Sequence, residues 1–363
     1  MILTYKLKHN RDFSQELHKA WQVAIYAIKH HSKSSKDVSQ FELKSAITNQ
    51  IIRKYVTNGK RNGKKCSKVS SIKLTLPSQA VKLDQLNRTM EVTCLKLKFS
   101  YQFPNNFTKI NQVEVGGKYI YVSVTVAEAK QQTVTDYLGV DRNTTGHCCV
   151  AAIAKTGKVF KLGKSSQHIH TKFSRMRKKL QAQGRKQELK QIKRRESNIV
   201  KDINHKISRK IVEIAKQNQV GIKLEDLKQI RETTKTKSSF KYSLNSWGFY
   251  QLQTMIEYKS RLLGIPVVYV ASPYTSKTCS RCGLIGRRSG KTFKCPSCGH
   301  VDHADSNAAF NISVWKVMAG ESFVKAMKCG RSLTDRDVKE GSIDTPQIER
   351  SKCLVGKPSI WFN

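Results

Sequence analysis

Four cysteines in the last third of the chain have the type and spacing of a metal centre. They form two pairs, Cys279-Ser-Arg-Cys282 and Cys295-Pro-Ser-Cys298, with twelve residues between the pairs and a glycine after each pair. Two such turns facing each other present four thiolates in the tetrahedral geometry of Zn²⁺, with Zn–S distances of about 2.3 Å. Because protein ligands fill all four positions, we predict a structural zinc. The alternative is four unconnected buried thiols.

Three acidic residues are candidates for phosphodiester chemistry because each lies at the end of a predicted element. Asp141 closes the strand-like run Tyr-Leu-Gly-Val-Asp, Glu225 follows Val-Gly-Ile-Lys-Leu, and Asp305 precedes a helix-like run. Converging carboxylates could bind two Mg²⁺ ions about 3.5–4 Å apart, one activating water and one stabilising the departing oxygen. An acid after a strand is, however, often only a helix cap.

The composition favours a nucleic-acid partner. The chain has 363 residues and 41.3 kDa, carries a formal net charge of +41, and has a pI near 10.0. Such a length allows two or three folded units with sizeable cores. The strongly basic balance indicates a surface that meets many phosphates, with salt-dependent affinity.

Hydropathy favours neither membrane insertion nor export. No stretch approaches about 18 uninterrupted apolar residues, and the N-terminal sequence MILTYKLKHNRD lacks the apolar region of a signal peptide. We therefore expect a cytoplasmic, nucleoid-associated protein in a reducing compartment. The cysteines outside the two pairs should be free thiols: Cys66, Cys94, Cys148, Cys149, Cys329 and Cys353.

The first third of the chain combines strand and helix patterns. Alternation of Leu3, Tyr5 and Leu7 predicts a half-buried strand. A helical face follows at Leu17, Trp21, Ile25 and Ile28, and a second helical run at about 41–56 completes a helical hairpin, with Trp21 assigned to the core. Residues 70–134 are rich in β-branched and aromatic residues. These patterns predict a small β-barrel with an inserted helical hairpin.

After residue 134, the sequence pattern predicts secondary-structure elements in the order βββ-α-β-α-β. Short strands are predicted at 137–141, 147–154 and 159–162, then helices on both sides of Gly184, and later strands around Ile222 and at 266–271. Between residues 171 and 216, sixteen Lys and Arg residues stand against four acids, while isoleucines keep one apolar stripe.

Four separated segments resemble the TnpB family of transposon-associated proteins, which are relatives of the type V CRISPR nucleases. The segments are GVDRNTTG at 139–146, IKLEDL at 222–227, TSKTCSRCG at 275–283 and CPSCGHVDHADSNAAFNI at 295–312. Their order and spacing are preserved, and the resemblance covers about 135–315. It implies an RNA-guided DNA endonuclease that reads a short DNA motif beside its target, while the guide RNA reads the target itself.

The resemblance also implies the roles of the acids. Asp141, Glu225 and Asp305 take the three catalytic, Mg²⁺-binding positions, and Asp302 is a competitor for the third. The implied partners are a guide RNA derived from the transposon end and target double-stranded DNA, with no membrane, and we expect a monomer.

The implied fold is multidomain, α+β and α/β. An RNase H-like (RuvC-type) nuclease domain with an inserted zinc ribbon accompanies an N-terminal wedge-type β-barrel with a short helical recognition insert. The predicted ranges are 1–10 and 60–134 for the barrel, 11–59 for the insert, 135–277 and 301–315 for the nuclease domain, 278–300 for the ribbon, and 316–363 for a partly ordered tail.

The basic helices are expected to line the channel that holds the RNA–DNA duplex. Arg175, Arg177, Lys178 and Lys179 are the candidate phosphate contacts, although a basic helix face is often only a solvated surface. Three other functions remain open: a guided DNA-binding regulator without cleavage, a transposition accessory nuclease without a guide, and a hydroxyl-transfer transposase. The last is disfavoured because no motif pairs a tyrosine or serine nucleophile with a basic cluster.

Overall fold

The chain folds into two units, residues Met1–Glu128 and Ala129–Asn363. The structure is a computed structural model, and it describes all residues except 62–63, 66, 70, 104–106, 144–145, 165, 228–248 and 316–363. The predicted free thiols Cys66, Cys329 and Cys353 and the predicted tail therefore lie outside the described residues. Cys94, Cys148 and Cys149 form no disulfide, as predicted.

The first unit is built on antiparallel strands. They are β1 (Ile2–Lys8), β2 (Lys60–Arg61), β3 (Lys64–Lys65), β4 (Leu74–Pro77), β5 (Val81–Asp84), β6 (Thr89–Val92), β7 (Leu97–Ser100), β8 (Phe107–Val115) and β9 (Tyr119–Val126). Every second residue of β1 is exposed, as its alternating sequence predicts. The strands form a sheet of order β1-β9-β8-β4, a meander β5-β6-β7 and a short β2-β3 ladder. A closed barrel is not confirmed, because the described strands form these separate sheets.

Helices α1 (Ser14–His30) and α2 (Ser45–Ile52) form the helical part of the first unit. A 3₁₀ turn (Ser35–Phe41) precedes α2 and a π turn (Arg53–Thr57) follows it, so the second helical run is shorter than predicted. The predicted apolar face of α1 is wrong. The helix buries its small residues, including Ala20 and Ala24, and leaves Trp21 and Ile25 41% and 39% exposed, because alanines allow a closer approach than the larger side chains do.

The second unit contains the predicted order of three strands, helices, strand, helix and strand. Its elements are β10 (Tyr137–Arg142), β11 (Cys149–Ile153), β12 (Lys158–Leu162), α3 (Ser166–Ala182), α4 (Lys186–Gln217), β13 (Gly221–Glu225), α5 (Phe249–Leu262), β14 (Val267–Val270), β15 (Arg287–Ser289), β16 (Thr292–Lys294), β17 (Val301–His303) and α6 (Ala304–Val314). The multidomain, mixed α and β organisation is thus confirmed. Among the described helices, none is long and apolar enough to span a membrane.

A five-stranded sheet of order β12-β11-β10-β13-β14 is the centre of the second unit. The three N-terminal strands pair antiparallel, whereas β13 runs parallel to both β10 and β14. The isoleucine stripe of α4 supplies Ile207, Ile211 and Ile214 to the hydrophobic core of this sheet. Parallel strands bring their carboxyl ends to one edge, where Asp141 and Glu225 lie.

Helix α6 is fixed against the sheet at two points. At Gly139, a Cβ atom would lie 2.2 Å from the Ala309 carbonyl oxygen and 2.3 Å from the Ser313 nitrogen, so only glycine permits this approach of helix and strand. The buried Lys223 donates from Nζ to the Trp315 carbonyl oxygen (2.9 Å), which satisfies a carbonyl at the C-terminal end of α6. The position of the first turn of α6 is therefore set by close contacts along the helix.

Candidate active site and metal centre

The four predicted cysteines come together. Their sulfur atoms all lie within 4.8 Å of one another, with Cys279 Sγ 3.7 Å from Cys298 Sγ and Cys282 Sγ 3.5 Å from Cys295 Sγ. Four thiolates around one Zn²⁺ ion would have sulfurs about 3.8 Å apart, given tetrahedral angles and the usual Zn–S distance. The cluster therefore fits a structural zinc ion without rearrangement.

Glycines shape both cysteine turns. The Gly283 N–H donates to the Cys279 carbonyl (2.9 Å) and the Gly299 N–H donates to the Cys295 carbonyl (3.1 Å). Both glycines have positive φ, 78° and 68°, a conformation that side chains disfavour. Burial raises the pKa of the Cys279 thiol to about 12, so this sulfur would become a thiolate ligand only with a cation to stabilise its charge.

Two asparagines on α6 attach the cysteine ribbon, residues 278–300, to the sheet domain. Asn307 accepts the Ser280 N–H (2.9 Å) at Oδ1 and donates from Nδ2 to the Thr278 carbonyl (2.7 Å). Asn311 donates from Nδ2 to the carbonyls of Thr275 and Thr278, both at 2.7 Å. Both asparagines are fully buried, so these hydrogen bonds fix the segment that enters the ribbon to the helix that carries Asp305.

The three predicted carboxylates are buried at one edge of the sheet. The strand register pairs Val140 with Leu224, which places the next residues, Asp141 and Glu225, side by side at the strand ends. Asp305 lies in the first turn of α6. The three residues are only 8%, 9% and 1% exposed, respectively.

The pKa of Asp141 reports the electrostatic crowding of this cluster. Burial, followed by the negative charges of Glu225 and Asp305, raises the pKa of Asp141 to about 7, although Asn143 Nδ2 donates a hydrogen bond to its Oδ2 atom (2.9 Å). Burial also raises the pKa of Glu225, against a hydrogen bond from Thr275 Oγ1 (2.5 Å) and the charge of nearby arginines. The raised pKa values show that the negative charge of the cluster is poorly compensated, so a bound cation would stabilise the ionised carboxylates.

Cations from two elements surround the carboxylates. Arg142, at the end of β10, is buried and donates from Nη2 to the Glu225 backbone carbonyl (2.5 Å), which holds the two strand ends together. Arg288 and Lys291, on the β15–β16 hairpin of the ribbon, approach Asp305 with nitrogen–oxygen distances of 3.3 Å and 2.6 Å. The ribbon thus contributes charged groups to the carboxylate cluster as well as carrying the four clustered thiols.

The carboxylates fit Mg²⁺ by chemistry, since hard oxygen donors are what this cation prefers. Within the described part of the chain, however, the four thiols are the only metal-ligating group of three or more residues whose donor atoms all lie within 4.8 Å of one another. The three carboxylates are therefore spread more widely, with Lys291 and Arg288 against Asp305.

Asp302, the competitor for the third position, lies elsewhere. Its Oδ1 atom accepts the His303 backbone N–H (2.7 Å), and its Oδ2 atom is 3.8 Å from His300 Nε2. Asp305, and not Asp302, is among the charges that act on Asp141.

The four predicted phosphate contacts on α3 differ in their environments. Arg175, Lys178 and Lys179 are exposed, whereas Arg177 forms an ion pair with the buried Glu196 of α4. Glu196 is also 3.0 Å from His170 Nδ1. Arg177 therefore joins two helices, and three of the four candidates face solvent.

Several site residues were missed by sequence reasoning. Arg142 and Asn143 directly follow Asp141, so the segment GVDRN carried a signal for them. Thr275 begins the segment TSKTCSRCG, which also carried a signal. Arg288 and Lys291 lie outside the four segments, and nothing in their local pattern distinguished them from surface residues.

Comparisons with known proteins find similarity over parts of the chain. Residues 249–312 match the model of the Cas12f1-like, TNB domain. The TnpB-like protein MJ0751 of Methanocaldococcus jannaschii is 37% identical over 154 residues, which cover 40% of this chain and 55% of that protein. The CRISPR-associated endodeoxyribonuclease Cas12f1 of Sulfoacidibacillus thermotolerans is 40% identical over 130 residues, covering 35% of this chain and 29% of that protein. The chain thus spans about half or less of the length of these relatives.

A solved structure, the cryo-EM structure of the Cas12f1–sgRNA–target DNA complex, aligns with 86% of this chain and 99% of its own, at 19% identity and a TM-score of 0.43. The match to the Cas12f1-like, TNB domain covers the cysteine ribbon and most of α6, and parts of the chain are thus similar in sequence to TnpB-like and Cas12f proteins.

Proposed function

We propose that this chain is an RNA-guided DNA endonuclease of transposon origin that hydrolyses phosphodiesters with two metal ions in a RuvC-like site. The observation that carries the proposal is the buried cluster of Asp141, Glu225 and Asp305, in which burial and then mutual repulsion raise the pKa of Asp141 to about 7. Buried acids that repel one another are costly to a fold unless a cation or a proton compensates them.

The carboxylates would hold Mg²⁺, with Asp141 and Glu225 offered from adjacent strand ends and Asp305 from α6. Bound there, the cations supply water activation and stabilisation of the leaving oxygen. Arg288 and Lys291 approach Asp305 in the structure. A phosphodiester brought to the cluster offers these two side chains an alternative anionic partner, so they are positioned to bind the strand that is cut.

The domain assignment belongs to the same proposal. The sheet order β12-β11-β10-β13-β14, with three antiparallel strands followed by parallel ones, supports an RNase H-like nuclease domain at 135–277 and 301–315. The cysteine ribbon interrupts it at 278–300. We retain a wedge at 1–10 and 60–134, of which residues 129–134 belong to the second unit, and propose that the helical insert at 11–59 contacts the guide–target duplex.

Guide RNA and target DNA are the proposed partners. The net charge of +41 supports a nucleic-acid partner, and one relative is named as a CRISPR-associated endodeoxyribonuclease. Arg175, Lys178 and Lys179 are exposed on α3 and are proposed to contact backbone phosphates. Arg177 is proposed to position the helices, because its charge is already paired with Glu196.

The proposal is tested by purifying the chain from cells that express its native locus, sequencing the RNA that co-purifies, and adding a target plasmid with randomised flanks and Mg²⁺. We expect discrete RNA and cleavage beside a defined flanking motif. Asp141→Ala should abolish cleavage, whereas the matched control Asp302→Ala, a nearby acid outside the cluster, should retain it.

The other outcomes separate the remaining functions. Discrete RNA with target binding but no cutting makes the protein a guided DNA-binding regulator. Cleavage without RNA makes it an unguided accessory nuclease. Equal cleavage by the Asp141→Ala and wild-type proteins contradicts the assignment of the carboxylate site.

A further inference from the structure

A surface cavity beside the carboxylate cluster has a lining rich in basic side chains. Its volume is about 470 Å³, and its lining residues are Gly146, His147, Lys164, His168, Thr171 and Arg175. They come from three places in the second unit: the loop before β11, Lys164 two residues after β12, and the part of α3 from His168 to Arg175. The lining contains two permanent cations, two imidazoles and one hydroxyl group, and it contains no acid.

The backbone fixes these three places relative to one another. Cys149 pairs with Leu162 in the β11–β12 ladder, so the loop before β11 lies beside the residues that follow β12. There the Cys148 thiol donates to the Gly163 carbonyl (3.0 Å), and a Cβ atom on Gly163 would lie 2.2 Å from Cys148 Sγ. The close approach requires glycine, and it sets the direction in which the chain leaves toward Lys164 and α3.

The electrostatic environment of the cavity is positive. Neither Lys164 nor Arg175 forms an ion pair with a described residue, in contrast to Arg177 on the same helix. Burial, followed by the charges of Lys161 and Lys164, lowers the pKa of His147. The cations of the cavity are thus available to an anion.

The cavity adjoins the catalytic carboxylates. A Cβ atom on Gly146, at the cavity rim, would lie 3.9 Å from Lys291 Cε, and Lys291 Nζ is 2.6 Å from Asp305 Oδ2. A nucleic-acid strand whose scissile phosphate reaches the carboxylates therefore passes within a short distance of the cavity.

We propose that this cavity binds an internal backbone phosphate of the DNA strand that is cut, close to the phosphodiester at the carboxylates. The inference rests on the proposed function and adds to it a second anchoring point for the strand. Lys164 and Arg175 supply charge, while the imidazoles and the Thr171 hydroxyl supply hydrogen-bonding groups. These groups would bind the phosphate and fix the position of the strand, without distinguishing between bases.

The test measures binding of a fluorescent oligothymidine to the full chain by anisotropy over a series of salt concentrations, without added Mg²⁺. The pocket variant combines Lys164→Ala with Arg175→Ala. The matched control combines Lys155→Ala with Lys158→Ala, which removes the same charge around the opposite end of β12. We expect the pocket variant to bind about tenfold more weakly, with a salt slope lower by about 0.7 for one lost phosphate contact.

A second oligonucleotide with uncharged methylphosphonate linkages identifies the group that is bound. The pocket and control variants should bind it equally. Equal binding of the charged oligonucleotide by the pocket and control variants overturns the proposal, and so does an effect that depends only on a terminal phosphate.

These measurements do not require cleavage. If the wild-type chain cuts no DNA but the pocket variant loses affinity as expected, the proposed function fails, and the cavity is still a binding site for a backbone phosphate of a bound strand. If the wild-type chain cuts DNA and the pocket variant binds like the control, only the cavity assignment fails.

Discussion

Replacing Asp141 by asparagine tests the electrostatic description of the carboxylate cluster. Burial and the neighbouring acids raise the pKa of Asp141 from 3.8 to about 7 in the folded protein. Between these two pH values the native state holds a proton that the unfolded chain has lost. The free energy of unfolding therefore falls as the pH rises through this window.

The size of the effect follows from the pKa. Each pKa unit corresponds to about 1.4 kcal/mol, so ionised Asp141 costs the fold at most about 4 kcal/mol once the pH exceeds 7. An asparagine side chain cannot ionise and avoids this cost. We therefore expect Asp141→Asn to be more stable than wild type in mildly alkaline buffer and to show little difference in acid, below the unfolded pKa.

Urea unfolding across pH, without divalent cations, measures this difference. Asp136→Asn is the control, because the Asp136 carboxylate is partly exposed and pairs with the exposed Lys155, so its loss should change stability by no more than about 1 kcal/mol. Adding Mg²⁺ should stabilise the wild type and not Asp141→Asn. Parallel pH profiles for wild type and Asp141→Asn would refute the coupling of the three acids.

Three further predictions address the scaffold. Cys298→Ser, or chelation of zinc, should lower the melting temperature of the second unit, as measured by calorimetry, because the metal supplies folding free energy. Gly139→Ala should lower the free energy of unfolding, measured in urea, by about 1–3 kcal/mol and reduce cleavage, since its Cβ would collide with α6. Gly117→Ala is the control: a Cβ atom there would have nothing within 4 Å, so neither stability nor cleavage should change. Arg177→Ala should cost about 3 kcal/mol in urea because it leaves the buried Glu196 without its arginine, and a loss no larger than that of an exposed lysine would contradict the helix-joining role.

Residue type and spacing were sufficient to predict that the four cysteines cluster. Each cysteine pair is a local turn, so the sequence alone defines its geometry, and the structure brings all four sulfurs together. The proximity of Asp141 and Glu225 also followed from local information, since both end apolar strand patterns and neighbouring parallel strands place such ends together.

The rest depended on tertiary contacts that periodicity does not encode. A helical pattern identifies apolar positions but not which face of the helix packs against the rest of the unit. In α1 the alanines are buried and Trp21 is exposed, because small side chains allow closer packing. Arg288 approaches Asp305 only because the ribbon folds back toward α6. Arg177 has the same local pattern as its basic neighbours, and only the position of Glu196 distinguishes it.

The attachment of the ribbon through Asn307 and Asn311 couples the four-cysteine cluster to the position of the Asp305 carboxylate. The same helix holds the ribbon by its asparagines and carries Asp305 in its first turn, so the order of the ribbon and the position of the carboxylate are thermodynamically linked. Oxidants that convert the exposed thiols of Cys282 and Cys298 to disulfides would remove two of the four thiolates offered to a zinc ion. If the proposed function holds, such oxidation would also lower DNA cleavage by shifting Asp305, although no thiol takes part in the reaction.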